Sequence, residues 1–153
     1  MSIVKFAKGN IFDTKLAAMV CPVNCGGVMG AGLAKVFRDK FDNQSYKDAC
    51  MKGEMAPGSI LVRQPEHAYK DTDKTLIYFA TKSDWRDDSK IEWIELGLLN
   101  LVKAMKYYNI DSIALPAVGC GCGHLPWPTI ELIIKDIFQS DGQAKIIEVY
   151  EPI

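Results

Sequence analysis

Two glycine-rich segments and one lysine carry the clearest chemistry in this chain. The first segment, Asn24-Cys25-Gly26-Gly27-Val28-Met29-Gly30-Ala31-Gly32, follows an apolar run and opens a helical pattern. The second, Leu115-Pro116-Ala117-Val118-Gly119-Cys120-Gly121-Cys122-Gly123, repeats that layout and leads through Leu125, Pro126 and Trp127 into another helix. Glycine admits positive φ and lets a ligand approach the main chain. A helix N-terminus adds unpaired N–H groups and the positive end of the dipole, which together make an anion site. Successive N–H groups in the second segment can form an anion-binding nest. Either segment alone also reads as a tight turn. Neither is a Walker loop, because no Lys-Ser/Thr pair ends it, and glycines at 26, 27, 30 and 32 miss the dinucleotide fingerprint. Two such loops in one small chain suit the two charged groups of a diphosphate.

The lysine is Lys82, in Thr81-Lys82-Ser83-Asp84-Trp85-Arg86 just past a strand pattern. A lysine held beside a ligand acts as nucleophile or electrostatic catalyst; residue type alone equally allows a solvated surface lysine. Asp84 either orients Lys82 or begins a turn, and Arg86 pairs with phosphate or, more plainly, with Asp87 or Asp88. Asn24 either donates to a sugar hydroxyl or caps the turn with its side chain. His124 stands alone and reads as structural, His67 lies in a polar connection with no partner pattern, and no Ser/His/Asp or Cys/His set assembles. The C-x3-C and C-x-C spacings of Cys21, Cys25, Cys120 and Cys122 match no usual zinc pattern. The five cysteines read as reduced thiols used as small apolar residues, and neither metal nor cofactor is expected.

The elements that must position these residues alternate. Strand patterns fall at Val4–Phe6, Ala18–Val23, Ile60–Arg63, Leu76–Ala80, Ile113–Pro116 and Ile146–Tyr150. Helical patterns start near Ala31 (Leu33, Val36, Phe37, Phe41) and cover Gln44–Lys52. A third carries the stripe Ile91, Ile94, Leu98, Leu101 and Met105, with Ser89 and Glu92 spaced as a capping box. A fourth has Pro128 in its first turn and Ile130, Ile133, Ile134, Ile137 and Phe138 on its apolar face. The order β-β-α-α-β-β-α-β-α-β implies a mixed or largely parallel sheet with helices on both faces. Ligands of such sheets collect at the carboxyl ends of the strands, where both glycine loops and Lys82 lie.

A chain of 153 residues with 48% hydrophobic and 24% charged residues fits one domain, 1–153, with a core of its own. A net charge of -1 argues against broad, sequence-independent coating of nucleic acid, though not against acting on one modified nucleotide through a pocket. No apolar run reaches the length of a membrane span and Met1–Phe6 lacks signal-peptide character, so a cytoplasmic monomer away from the membrane is the expectation.

These residues resemble the macrodomain family. The resemblance rests on Gly9-Asn10-Ile11, on Val23 through Ala34 with its Met29-Gly30-Ala31-Gly32-Leu33-Ala34 string, and on Leu115-Pro116 through Gly123. Within the family, Thr81-Lys82-x-x-Trp85-Arg86-x-x-Ser89 and Ile94-Glu95-x-Gly97-Leu98 are similar to the branch of terminal ADP-ribose protein glycohydrolase. They are more similar still to the antitoxin macrodomain that removes ADP-ribose from thymidine in DNA. The resemblance implies a three-layer α/β/α sandwich with a mixed, mostly parallel central sheet. It implies that Gly9, Asn10 and Ile11 meet the adenine and that Asn24 faces the distal ribose. Val28, Met29, Gly30, Ala31 and Gly32, with Val118, Gly119, Cys120, Gly121, Cys122 and Gly123, would wrap the diphosphate and distal ribose. Lys82 matches the catalytic lysine, and the implied activity is removal of ADP-ribose from a DNA base or an acidic side chain. The alternatives are an ADP-ribose 1''-phosphate phosphatase and a non-catalytic reader. Two positions depart from family patterns: Asn10 stands where many members have Asp, and Gly123 where the protein glycohydrolase has Asp. The DNA-acting relatives share Gly at the latter position.

Overall fold

The computed structural model describes residues 2–67, 74–143 and 145–152. Six strands form one sheet: β1 (Ile3–Ala7), β2 (Ala18–Val23), β3 (Ile60–Arg63), β4 (Thr75–Ala80), β5 (Ser112–Pro116) and β6 (Ile146–Tyr150). Four helices accompany them: α1 (Gly32–Lys40), α2 (Gln44–Met51), α3 (Ile91–Tyr107) and α4 (Trp127–Ser140). The sheet order is β1-β6-β5-β2-β4-β3. Every neighbouring pair runs parallel except β3 with β4. The mixed sheet and the alternation of strands and helices follow the sequence pattern.

The pleat sorts side chains into two cores. Met19, Cys21, Leu76, Tyr78 and Ala114 pack with Phe37 of α1 and Tyr46 of α2 on one face. Val20, Ile77, Phe79, Ile113 and Leu115 pack with Ile94, Leu98, Leu101 and Met105 of α3, and with Ile130, Ile134 and Phe138 of α4, on the other. Burial on both sides explains why β2 and β4 read as continuous apolar runs rather than as alternating ones. The result is a three-layer α/β/α sandwich. Among the described residues no helix is long and apolar enough to cross a membrane.

Gly97 sets the distance between α3 and the sheet. A Cβ there would lie 2.3 Å from Cε1 and Cζ of Phe79, whose ring is fully buried. Gly97→Ala is therefore expected to destabilise the fold by about 1–3 kcal/mol, the usual range for overpacking. In thermal unfolding that corresponds to a midpoint lowered by roughly 2–12 °C at this chain length.

One expectation fails at the start of α3. The N-cap is Lys90, without a side-chain cap, rather than Ser89. Glu92 thus sits at the second helical position instead of the third, so no capping box closes. Ser89 is held outside the helix because its N–H donates to the Gly123 carbonyl at 3.0 Å, a tie to the second glycine loop that spacing alone does not reveal.

The strands β5, β2 and β4 are adjacent, parallel and central. The segments that follow them are the second glycine loop, the first glycine loop and Lys82. All three leave from the same rim.

Candidate functional site

Asn24 shapes the first loop. Its side chain is 5% exposed. Its Oδ1 accepts from the N–H groups of Gly26 (3.0 Å) and Val28 (3.3 Å), and its Nδ2 donates to the Val28 carbonyl at 2.8 Å. The side-chain cap of the turn is thus the role the geometry assigns. Tyr46 of α2 buttresses it: the fully buried hydroxyl donates to the Asn24 carbonyl at 2.8 Å and lies 3.2 Å from Oδ1. Sequence reasoning gave Tyr46 no role, since a tyrosine 22 positions away in a short helix carries no local signal for it. Burial, with smaller contributions from Cys50, pushes its phenol far above the ordinary value.

The second loop folds on itself through Val118 N–H to Pro116 O, Cys120 N–H to Ala117 O, His124 N–H to Gly121 O and Leu125 N–H to Gly119 O. The two loops meet where Gly32, at φ +58°, faces Cys122: a Cβ on Gly32 would lie 3.2 Å from the Cys122 Sγ. The helix α1 begins there with Ala31 as an N-cap that makes no side-chain cap bond. Among the described residues, the N–H groups of Gly30, Ala31, Gly32, Gly121, Cys122 and Gly123 meet no acceptor. Six free donors, at a helix N-terminus and in a facing loop, offer the donor chemistry of a candidate anion cradle.

Lys82 reaches across this cradle. It is 8% exposed, and its Nζ donates to the Cys122 carbonyl at 3.1 Å. The solvated surface lysine is thereby excluded. Asp84 does not orient it, and Arg86 does not pair with Asp87 or Asp88. Instead Arg86 grips Asp84 with Nε–Oδ1 at 2.8 Å and Nη2–Oδ2 at 3.2 Å. The two residues lie two apart in one turn, which aims the guanidinium back toward Asp84. The Arg86 side chain and backbone N–H hold the Asp84 carboxyl down at about 2. His124, at φ +63°, contacts Asp88 through Nδ1–Oδ1 at 2.6 Å on the surface.

Ile11, Met29 and Val118 are 4%, 3% and 0% exposed, so in this structure they serve the core that supports the loops. Ile11 and Met29 share the core on the α1 side of the sheet. The Asn10 Oδ1 accepts from Phe12 N–H at 2.9 Å and caps the 3-10 turn Ile11–Asp13. Gly9 has φ +124° and open space beside it. Val28, Gly30, Ala31, Gly32, Gly121 and Cys122 are exposed on the rim, Cys120 is half-buried, and Gly119 and Gly123 are buried.

Burial pushes the Cys25 thiol up to about 11, with a smaller contribution from Cys50, and burial does the same to Cys120. The folded chain therefore keeps protons that the unfolded chain releases above the ordinary value of 9.0. Stability is expected to be fully present below pH 9 and to fall as pH rises through about 11, measured by urea unfolding across that window.

A family model described as Macro domain matches residues 20–134, a span that holds both loops, Asn24 and Lys82. The chain belongs to the macrodomain family. This macrodomain is 35% identical, over 99% of its length, to a Thermus aquaticus protein named DNA ADP-ribosyl glycohydrolase, of which it covers 42%. It thus spans less than half the length of the relatives that carry this name. Among solved structures it is similar to the macrodomain of Thermus aquaticus DarG, with a TM-score of 0.89 and 34% identity, covering 99% of this chain and 100% of that one. It is also similar to Thermosipho africanus DarTG in complex with ADP-ribose, with a TM-score of 0.85 and 28% identity over 97% of this chain and 42% of that one.

Proposed function

We propose that this macrodomain binds ADP-ribose across its two glycine loops and hydrolyses the bond joining the distal ribose to a base of DNA. The observation that carries this reading is Lys82, buried at the end of β4 with its Nζ on the carbonyl of Cys122. That carbonyl belongs to Cys122, whose own N–H is one of the six free donors. With the diphosphate on those N–H groups, the distal ribose extends toward Lys82. Its anomeric carbon then meets the amine, which attacks it or stabilises the charge that develops as the base departs. A water completes the hydrolysis and releases free ADP-ribose. Backbone contacts to the ribose supply the positioning component. Gly9, Asn10 and Ile11 take the adenine end, and Asn24 serves the ribose through the loop it clasps.

Gly123 favours DNA over an acidic side chain. A Cβ there would lie 2.3 Å from the Ser89 Oγ and 2.6 Å from the Gly119 carbonyl, so this loop has no room for the carboxylate that the protein-acting branch carries. The relatives named for DNA ADP-ribosyl glycohydrolase activity, and the ADP-ribose complex of a similar structure, support the same reading. The five free thiols fit a cytoplasmic setting.

The test is a panel of ADP-ribosylated DNA, ADP-ribosylated glutamate peptide and ADP-ribose 1''-phosphate. Release of free ADP-ribose from the DNA at a rate well above that from the peptide is expected. Phosphate release from the third compound alone would make the protein a phosphatase, and tight binding without turnover of any would make it a reader.

A further inference from the structure

The segment from Lys82 to Ser89 is a bridge tied to both glycine loops. At its start, the Cys25 N–H donates to the Ser83 carbonyl at 3.0 Å and the Cys25 thiol to the Lys82 carbonyl at 3.5 Å. At its far end, the Ser89 N–H donates to the Gly123 carbonyl at 3.0 Å, and Asp88 contacts His124 at 2.6 Å. Between these anchors the chain is ordered by its own turn. The Asp87 N–H donates to the Asp84 carbonyl (3.0 Å), the Asp84 N–H to the Asp87 carboxylate (3.1 Å), and the Arg86 N–H to the Asp84 carboxylate (2.9 Å).

Trp85 stands in that turn, three residues from Lys82, and is 57% exposed. The Arg86 guanidinium lies 5.7 Å from the centre of its ring. An indole left this open on a backbone tied at both ends has not been used for packing. It offers a flat π-face in the turn that follows Lys82, the residue proposed to act on the bond that is broken.

Charge identifies the occupant. Lys82, Arg86 and Lys90 are matched in number by Asp84, Asp87 and Asp88, and the whole chain carries -1. Such a surface attracts neither a phosphate backbone nor an acidic peptide by its field. What remains is a neutral, planar partner, and base–aromatic stacking supplies that without net charge.

We infer that Trp85 is a stacking platform for a nucleobase of the strand that carries the ADP-ribose. The inference rests on the proposed function and names how the nucleic-acid half of the substrate is held. It is read by binding to the Lys82→Ala protein, in which turnover does not intervene. Free ADP-ribose is titrated by calorimetry, and a short single-stranded oligonucleotide carrying ADP-ribose on one base is titrated by fluorescence anisotropy.

Adding Trp85→Ala is expected to weaken oligonucleotide binding by about 5- to 100-fold, the range of one base–aromatic stack, and to leave free ADP-ribose within about twofold. Trp85→Phe is expected to restore most of the loss. An unchanged oligonucleotide affinity overturns the inference. So does an equal loss for free ADP-ribose, which would make Trp85 a wall of the ligand cleft. Failure of the Lys82-intact protein to cleave the oligonucleotide sinks the proposed hydrolysis instead, and that result is independent of the Trp85 comparison.

Discussion

Lys82→Ala lowers the rate of ADP-ribose release from ADP-ribosylated DNA by about 10²-fold or more, the scale seen when one preorganised electrostatic group is removed from an active site. Affinity for ADP-ribose itself changes by no more than about threefold, because the lost interaction belongs to the reacting bond and not to the diphosphate. The prediction follows from geometry. The Nζ is fixed by the Cys122 carbonyl in a nearly closed position, so the amine enters each reaction already placed. Cys122 in turn belongs to the loop proposed to hold the diphosphate, so on this account ligand binding and lysine placement share one piece of backbone. Lys82→Arg is expected to restore little, since a planar guanidinium cannot occupy the same point. A Lys82→Ala protein that clears ADP-ribosylated DNA at the parent rate would remove lysine from the mechanism.

Gly123→Asp weakens ADP-ribose binding by roughly 5- to 150-fold, the equivalent of about 1–3 kcal/mol of overpacking placed in the loop itself. The Cβ would meet the Ser89 Oγ at 2.3 Å and Cβ at 2.9 Å, and the Gly119 carbonyl oxygen at 2.6 Å. A rotamer change at Ser89 relieves only part of this, because Gly119 contributes backbone. The loop must then shift, carrying with it the N–H groups of Gly121 to Gly123 and the carbonyl that holds Lys82. Gly121 is the control for the fold: a Cβ there meets nothing within 4 Å, so Gly121→Ala should leave the unfolding midpoint close to that of the parent. Calorimetry with ADP-ribose and thermal unfolding of both variants check the pair. An Asp at 123 that leaves affinity intact would mean the loop is soft, and the steric argument for DNA over an acidic side chain would fall with it.

Much of this site is legible from residue order. Ala18–Val23 is apolar throughout because β2 is covered on both faces, and the run ends where the glycines begin. Glycines that follow two central strands mark the rim, and Lys82 follows a third. What is not legible depends on partners far along the chain. Asn24 has two uses by type; its bonds to Gly26 and Val28 select the cap, and Tyr46 buttresses it from 22 residues away. Ser89 has the spacing of a cap, yet Gly123 takes its N–H and moves the helix start to Ile91. Its hydroxyl is left buried without a partner, packed toward a glycine that can carry no side chain. Arg86 has three acidic neighbours, and only the turn geometry selects Asp84. Residue type proposes a set of roles, and the folded geometry chooses one: a turn for Asn24 and Arg86, a long-range contact for Ser89.

The most direct test of the account is calorimetric titration of the protein with ADP-ribose. Six main-chain donors without an acceptor among the described residues, in two loops that meet at Gly32 and Cys122, predict one saturable site per chain with an affinity lost when either loop is blocked. Absence of binding at millimolar ADP-ribose would contradict the account at its base, and the assignments of Lys82, Gly123 and Trp85 would fall with it.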